Sequence, residues 1–121
     1  MSYKITVENT FDAAHCIRGY TGSCERLHGH TYRVRACFKY ESLDQAGMAI
    51  DFRVAKAALN SALDYMDHRY INELPEFSAQ NPTAENVAKF IFDRIKTLEG
   101  GIYSVSVWET PTSCATYYQD E

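Results

Sequence analysis

Four histidines occur in 121 residues, and three of them stand where they could share one metal ion. His28-Gly29-His30 places two imidazoles at i and i+2, which in an extended strand project from one face. Gly29 puts no side chain on the opposite face and allows close backbone approach there. His15 ends an earlier alternating stretch, on the inward parity set by Ile5 and Val7. If the two stretches pair as antiparallel strands, the end of the first meets the start of the second, and His15 arrives beside His28 and His30. Three neutral imidazoles suit zinc, at about 2.0–2.1 Å each, and leave one position open for substrate or water. The competing reading is that one or two of them are core histidines bonded to backbone carbonyls. Zinc is preferred over iron or copper because no carboxylate or soft axial ligand is obvious nearby.

Candidate acid–base groups flank this cluster. Cys24 lies four residues before His28; it is either a fourth ligand closing a structural site or a thiolate whose pKa is lowered by a nearby cation. Asp67-His68 directly follows a helical stretch. A carboxylate bonded to an imidazole fixes its tautomer and raises its basicity, although adjacent residues usually point apart and a helix-ending charge pair is the plainer account. His68 is the one histidine not assigned to metal. In Ser104-Val-Ser-Val-Trp-Glu109, the carboxylate shares parity with Val105 and Val107. A buried carboxylate needs partners, either an arginine or the paired N–H donors of a guanidine-like heterocycle edge.

The elements that must position these groups read clearly. Alternation predicts a strand from about Ile5 to His15 and another from His28 through Tyr32, Val34 and Ala36. Asp51 is a plausible N-cap for a helix running to about Met66. A second helix starts around Pro82-Thr83, carries Val87, Phe90, Ile91, Ile95 and Leu98, and is stopped by Gly100-Gly101. Two last strands span Ile102–Glu109 and about Ser113–Tyr118. Strands and helices are segregated, which predicts an α+β fold with an antiparallel sheet carrying two helices on one face. The length predicts a single domain over residues 1–121, too small to enclose a deep cleft alone. The net charge of −4 and the lack of any Lys/Arg run predict no nucleic-acid partner. No apolar stretch approaches membrane-spanning length and no signal-peptide core is visible, so the protein is expected in the cytoplasm. There, Cys16, Cys37 and Cys114 are expected to be buried or incidental thiols rather than disulfide partners.

Five segments in order, Phe11-Asp-Ala-Ala-His15, Cys24-Glu-Arg-Leu-His-Gly-His30, Asp67-His68-Arg69, Asn81-Pro-Thr-Ala-Glu-Asn86 and Trp108-Glu-Thr110, together resemble the 6-pyruvoyltetrahydropterin synthase family. The spacing from Cys24 to the histidine pair is most similar to the bacterial 6-carboxytetrahydropterin synthases of queuosine biosynthesis. The resemblance implies a tunnelling fold (T-fold) with a four-stranded antiparallel sheet, assembled as a homohexamer of two stacked trimers with active sites between subunits. It implies Zn2+ on His15, His28 and His30, Cys24 as catalytic base or acid, Asp67 and His68 as a second proton-transfer pair, and Glu109 as the anchor of the pterin ring. The implied reaction takes 7,8-dihydroneopterin triphosphate to 6-carboxytetrahydropterin, releasing acetaldehyde and triphosphate. Arg18, Arg26 and Arg69 are candidates for the triphosphate. A sister activity forming 6-pyruvoyltetrahydropterin, and a structural zinc module that only binds a partner, are the alternatives.

Overall fold

A computed structural model describes residues 2–19 and 26–120. Cys24 lies outside the described residues. Strands β1 (Tyr3–His15) and β2 (His28–Tyr40) pair antiparallel along their whole length, from Tyr3 opposite Tyr40 to His15 opposite His28. Alternation fixes this register, because slipping it by one residue would turn Val7, Phe11, Tyr32, Val34 and Phe38 from the core to the other face.

Helix α1 (Phe52–Met66) begins at Asp51, whose side chain accepts from the Arg53 amide at 2.8 Å, as the sequence predicts. It buries Ala55, Leu59, Ala62, Leu63 and Met66 at helical spacing and packs on β1. Helix α2 (Ala84–Leu98) is capped by Thr83, whose hydroxyl accepts from the Asn86 amide at 3.1 Å. It lays Val87, Ile91 and Ile95 over β4 (Ile102–Thr110) and β5 (Ser113–Tyr118). The α+β architecture with two helices is therefore as predicted. Among the described residues no helix is long and apolar enough to cross a membrane.

The sheet departs from the expected four antiparallel strands. It has five, in the order β3-β1-β2-β4-β5, and is mixed. The extra strand, β3 (Arg69–Tyr70), runs parallel to β1 beside Ala13 and Ala14. Two residues carry no periodicity, so alternation could not reveal it. Two short 3-10 turns, Ile71–Glu73 and Pro75–Phe77, then lead toward α2.

The glycines after α2 also act differently from the expected helix stop. Neither Gly100 nor Gly101 has positive φ, and the helix closes by the Glu99 amide donating to Ile95. Gly101 instead admits Tyr40, for a Cβ there would clash with the Tyr40 ring. The Tyr40 hydroxyl meanwhile donates to Glu99 at 2.8 Å. Gly101→Ala should therefore displace the ring, break that hydrogen bond and cost about 1–3 kcal/mol in urea unfolding. In a Tyr40→Ala background the same substitution should cost much less, giving a coupling that a double-mutant cycle measures.

Candidate active site

The register that pairs His15 with His28 gathers the three expected ligands at one end of the sheet, on the helix-covered face. One ring nitrogen from each of His15, His28 and His30 can be chosen so that all lie within 4.8 Å of one another. The outer nitrogens of two rings are tied to main-chain carbonyls. His15 Nδ1 is 2.7 Å from the Pro82 oxygen and His28 Nδ1 is 2.7 Å from the Arg26 oxygen. A carbonyl can only accept, so in both rings Nδ1 carries the hydrogen and the neutral ring presents a bare Nε2 lone pair.

Those lone pairs need a cation. His15 Nε2 and His28 Nε2 are 2.9 Å apart, and with both hydrogens on Nδ1 this is no hydrogen bond between neutral rings. His30 Nε2 is buried without a hydrogen-bond partner among the described residues. An extra proton is a poor remedy. Burial pushes His15 and His30 below the ordinary histidine value, outweighing the upward pull of the Pro82 carbonyl on His15 and of the Glu109 carboxylate on both rings. Three oriented, neutral, converging imidazoles fit a divalent metal ion, with the carbonyls orienting its ligands from behind. The sequence-stated rival, histidines bonded to carbonyls in the core, is half right: the carbonyl bonds exist, and they aim the rings at one another.

The elements holding these rings come from segments distant in sequence. His15 is only 1% exposed and Tyr32, fully buried, stacks on Phe11 at 4.7 Å with its edge toward His15 and His30. Asn72 clamps the main chain just after His15, accepting from the Cys16 amide and donating to its carbonyl, each at 2.9 Å. Asn81 does the same to Arg18, again at 2.9 Å. Thus Asn81-Pro82-Thr83 fixes the strand exit, supplies the carbonyl behind His15 and caps α2.

Glu109 is inward, as its parity predicts, and is a quarter exposed. Its carboxylate oxygens lie 3.9 Å from His15 Nε2 and 3.8 Å from His30 Nε2. No arginine pairs with it among the described residues. The β4–β5 register shifts between Trp108 and Thr110, and a bulge of this kind re-aims the side chain within it. A carboxylate therefore does stand beside the cluster, contrary to the sequence-based expectation. It reaches two of the three rings.

Asp67 and His68 overcome the usual divergence of neighbours through backbone conformation. His68 adopts φ 59°, in the left-handed region, a strain on the order of 1–3 kcal/mol for a non-glycine residue. The turn brings its Nδ1 to 2.9 Å from Asp67 Oδ2. The Asp12 amide donates to Asp67 Oδ1 at 2.9 Å, and this bond together with His68 holds the Asp67 carboxyl below the usual carboxylate range. An open hollow of about 400 Å³ is lined by residues that include Asp12, Gly29, His30, His68, Arg69 and Tyr70. A Cβ on Gly29 would sit 3.7 Å from the Ala13 oxygen, an ordinary contact. Bareness of this surface, rather than close backbone approach, is what Gly29 provides.

The candidate arginines separate. The Arg18 guanidinium donates to the carbonyls of Phe77 and Gln80 at 2.5 and 2.8 Å, a structural role. Arg26 contributes its carbonyl behind His28, and Arg69 lines the hollow. Cys16, Cys37 and Cys114 are free thiols; Cys16 Sγ lies 3.1 Å from the Tyr70 hydroxyl. Pro82, Asn72 and Asn81 were not among the residues singled out by sequence reasoning as site positions, except that Asn81-Pro82 belonged to a matched motif. Pro82 contributes its carbonyl, and Asn72 and Asn81 use their side-chain amides to grip main chain distant in sequence, pairings that no local pattern announces.

Residues 4–120 match the family described as 6-pyruvoyl tetrahydropterin synthase. The chain belongs to that family. A 6-carboxy-5,6,7,8-tetrahydropterin synthase from Haemophilus influenzae is 36% identical, covering 97% of this chain and 99% of its own length. One of the same name from Synechocystis is 37% identical, covering 92% and 89%. A dihydroneopterin monophosphate aldolase from Pyrococcus furiosus is 33% identical over 90% of this chain and 91% of its own. The solved structure of the Caenorhabditis elegans 6-pyruvoyl tetrahydropterin synthase superposes with a TM-score of 0.90 at 26% identity, covering 99% of this chain and 97% of that one. These likenesses run end to end, so the histidine cluster belongs to a tetrahydropterin synthase-like T-fold.

Two consequences are measurable. In the unfolded chain His15 and His30 protonate near the ordinary value of 6.5, and in the fold only at lower pH. The unfolded state therefore binds more protons just below that value, so this part of the stability is whole above about pH 6.5 and falls as pH drops through it. Thermal melts of metal-stripped protein should show that fall, and it should shrink in His30→Gln. Adding Zn2+ at neutral pH should raise Tm, because the ion binds only the folded site, and His28→Ala should abolish both the rise and the stoichiometric metal content.

Proposed function

We propose that this single-domain protein is a zinc-dependent lyase that converts 7,8-dihydroneopterin triphosphate to 6-carboxytetrahydropterin, releasing acetaldehyde and triphosphate, in the queuosine (7-deazapurine) pathway of the cytoplasm. The observation that carries this reading is the convergence of three bare Nε2 atoms in a chain matched along nearly its whole length by 6-carboxy-5,6,7,8-tetrahydropterin synthases. His15, His28 and His30 hold the ion. Zinc is favoured because three neutral imidazoles leave an open position; Glu109 beside two of the rings makes iron the ion to exclude by metal analysis. A bound zinc ion supplies Lewis acidity, lowering the pKa of side-chain hydroxyls on the substrate.

The protein's own groups do the rest. Asp67 receives the His68 Nδ1 hydrogen, which leaves Nε2 of that ring to take up or return a substrate proton. Cys24 serves as the partner acid or base. Glu109 orients the pterin by accepting from its amino-pyrimidinone edge, and so sets the side-chain carbons against the proton-transfer groups. Arg69, on the rim of the hollow, is the best placed of the three arginines to meet a phosphate. Assembly as a homohexamer of two trimers is supported by edge strands β3 and β5, whose main-chain groups can extend the sheet between copies, and by the openness of the hollow. The dihydroneopterin monophosphate aldolase among the relatives supports a second reading, side-chain cleavage of a dihydroneopterin without hydrogen transfer from the side chain to the ring.

Incubation of zinc-loaded protein with 7,8-dihydroneopterin triphosphate, followed by mass spectrometry, should yield 6-carboxytetrahydropterin with acetaldehyde. A pyruvoyl pterin would point to the sister activity, and a hydroxymethyl pterin to the aldolase reading. Cys24→Ala should keep zinc and the fold while losing about 100-fold or more in kcat. If instead zinc is lost and the protein unfolds, Cys24 closes a structural site. Glu109→Gln should mainly weaken substrate binding.

A further inference from the structure

Asp12 has no part in the chemistry above, yet it touches the Asp67–His68 pair from every side available to it. Its amide donates to Asp67 Oδ1 at 2.9 Å, and its carbonyl accepts from the His68 amide at 2.6 Å. Its carboxylate is fixed by the Thr31 hydroxyl, which donates to Oδ1 at 2.5 Å across the β1–β2 pairing. A carboxylate oxygen of Asp12, one of Asp67 and a ring nitrogen of His68 lie within 4.8 Å of one another.

We propose that Asp12 is a positioning residue for the Asp67–His68 pair. Its main chain holds His68 in the left-handed turn, and its carboxylate, locked by Thr31, stabilises the imidazolium that forms when His68 takes a proton from substrate. The inference rests on the reading of His68 as a proton carrier. In that step a substrate C–H or O–H bond breaks, its electron pair stays with the substrate, and the proton joins the ring, so one positive charge appears on His68. Asp67 meets it by hydrogen bond and Asp12 by charge across a distance well inside the Debye length. The other groups facing the ring are few. Arg69 follows it on β3 and opposes the cation, His30 on β2 also lines the hollow, and the carbonyl end of α1 adds a weak favourable field.

The two main-chain grips survive any side chain except proline at position 12, which makes the charge separately testable. Asp12→Asn keeps an acceptor for Thr31 and removes only the charge. In zinc-loaded protein, the His68 ring resonance, identified by its loss in His68→Asn, is titrated by NMR. In Asp12→Asn its midpoint should move to lower pH by about half a pH unit. With the pterin triphosphate, kcat should fall about threefold to tenfold while KM changes less than about twofold. Thr31→Val, which keeps the charge but frees it to turn away, should shift the midpoint in the same direction by less. An unmoved His68 midpoint in Asp12→Asn overturns the inference and leaves the proposed reaction standing. Wild-type protein inert toward the pterin triphosphate overturns the reaction, and the titration still decides whether Asp12 supports the ring's charge.

Discussion

Three imidazole lone pairs directed into one small volume repel one another, and the surrounding structure is arranged to hold them there. His15 and His28 are locked from behind by the carbonyls of Pro82 and Arg26. The locks fix the tautomer that leaves Nε2 bare, and burial discourages the proton that would otherwise relieve the repulsion at His15 and His30. A metal ion turns this liability into binding energy, since affinity grows with how little the ligands must rearrange.

Such a cluster is possible only on a scaffold that does not yield. The β1–β2 ladder sets His15 opposite His28 at its last rung, where strands ordinarily fray. The ends are held by side chains. Asn72 and Asn81 each make paired bonds to the chain leaving β1, and the same segment that carries Asn81 starts α2 under the Thr83 cap. The strain at His68 is carried similarly: the Asp12 main chain bonds both partners of the pair, so the left-handed turn is fixed by β1 rather than by its own preference.

Period was legible in the sequence and main-chain contact was not. Alternation located β1, β2, β4 and β5, and helical spacing, with the Asp51 cap for the first, located both helices, because each of those signals is a property of side-chain type at fixed intervals. The histidine cluster followed from parity and an assumed antiparallel pairing. By contrast, β3 is two residues long, the glycine at 101 is required by Tyr40, far away in sequence, and the carbonyls behind the histidines carry no residue signature. Asp12 sits on the outward parity of β1, where an acidic side chain looks like ordinary solvent-facing polarity. Its contacts with Asp67 and His68 arise from the return of the chain after α1, which no local pattern encodes.

Glu109 shows how a small register defect can matter to chemistry. A carboxylate bonded directly to the ion would occupy the open position and lower the ion's effective charge, weakening its pull on a substrate oxygen. With its oxygens 3.8 and 3.9 Å from two of the rings, it instead offsets charge at the site's edge while keeping both oxygens available to N–H donors. Regular pairing through Trp108, Glu109 and Thr110 would give this side chain no reason to differ from Val105 and Val107, which are fully buried on the same parity. The shift between Trp108 and Thr110 lets one carboxylate remain partly exposed among apolar neighbours, facing the histidines without needing an arginine. The bulge therefore leaves the Glu109 carboxylate beside two of the rings without burying it as deeply as Val105 and Val107.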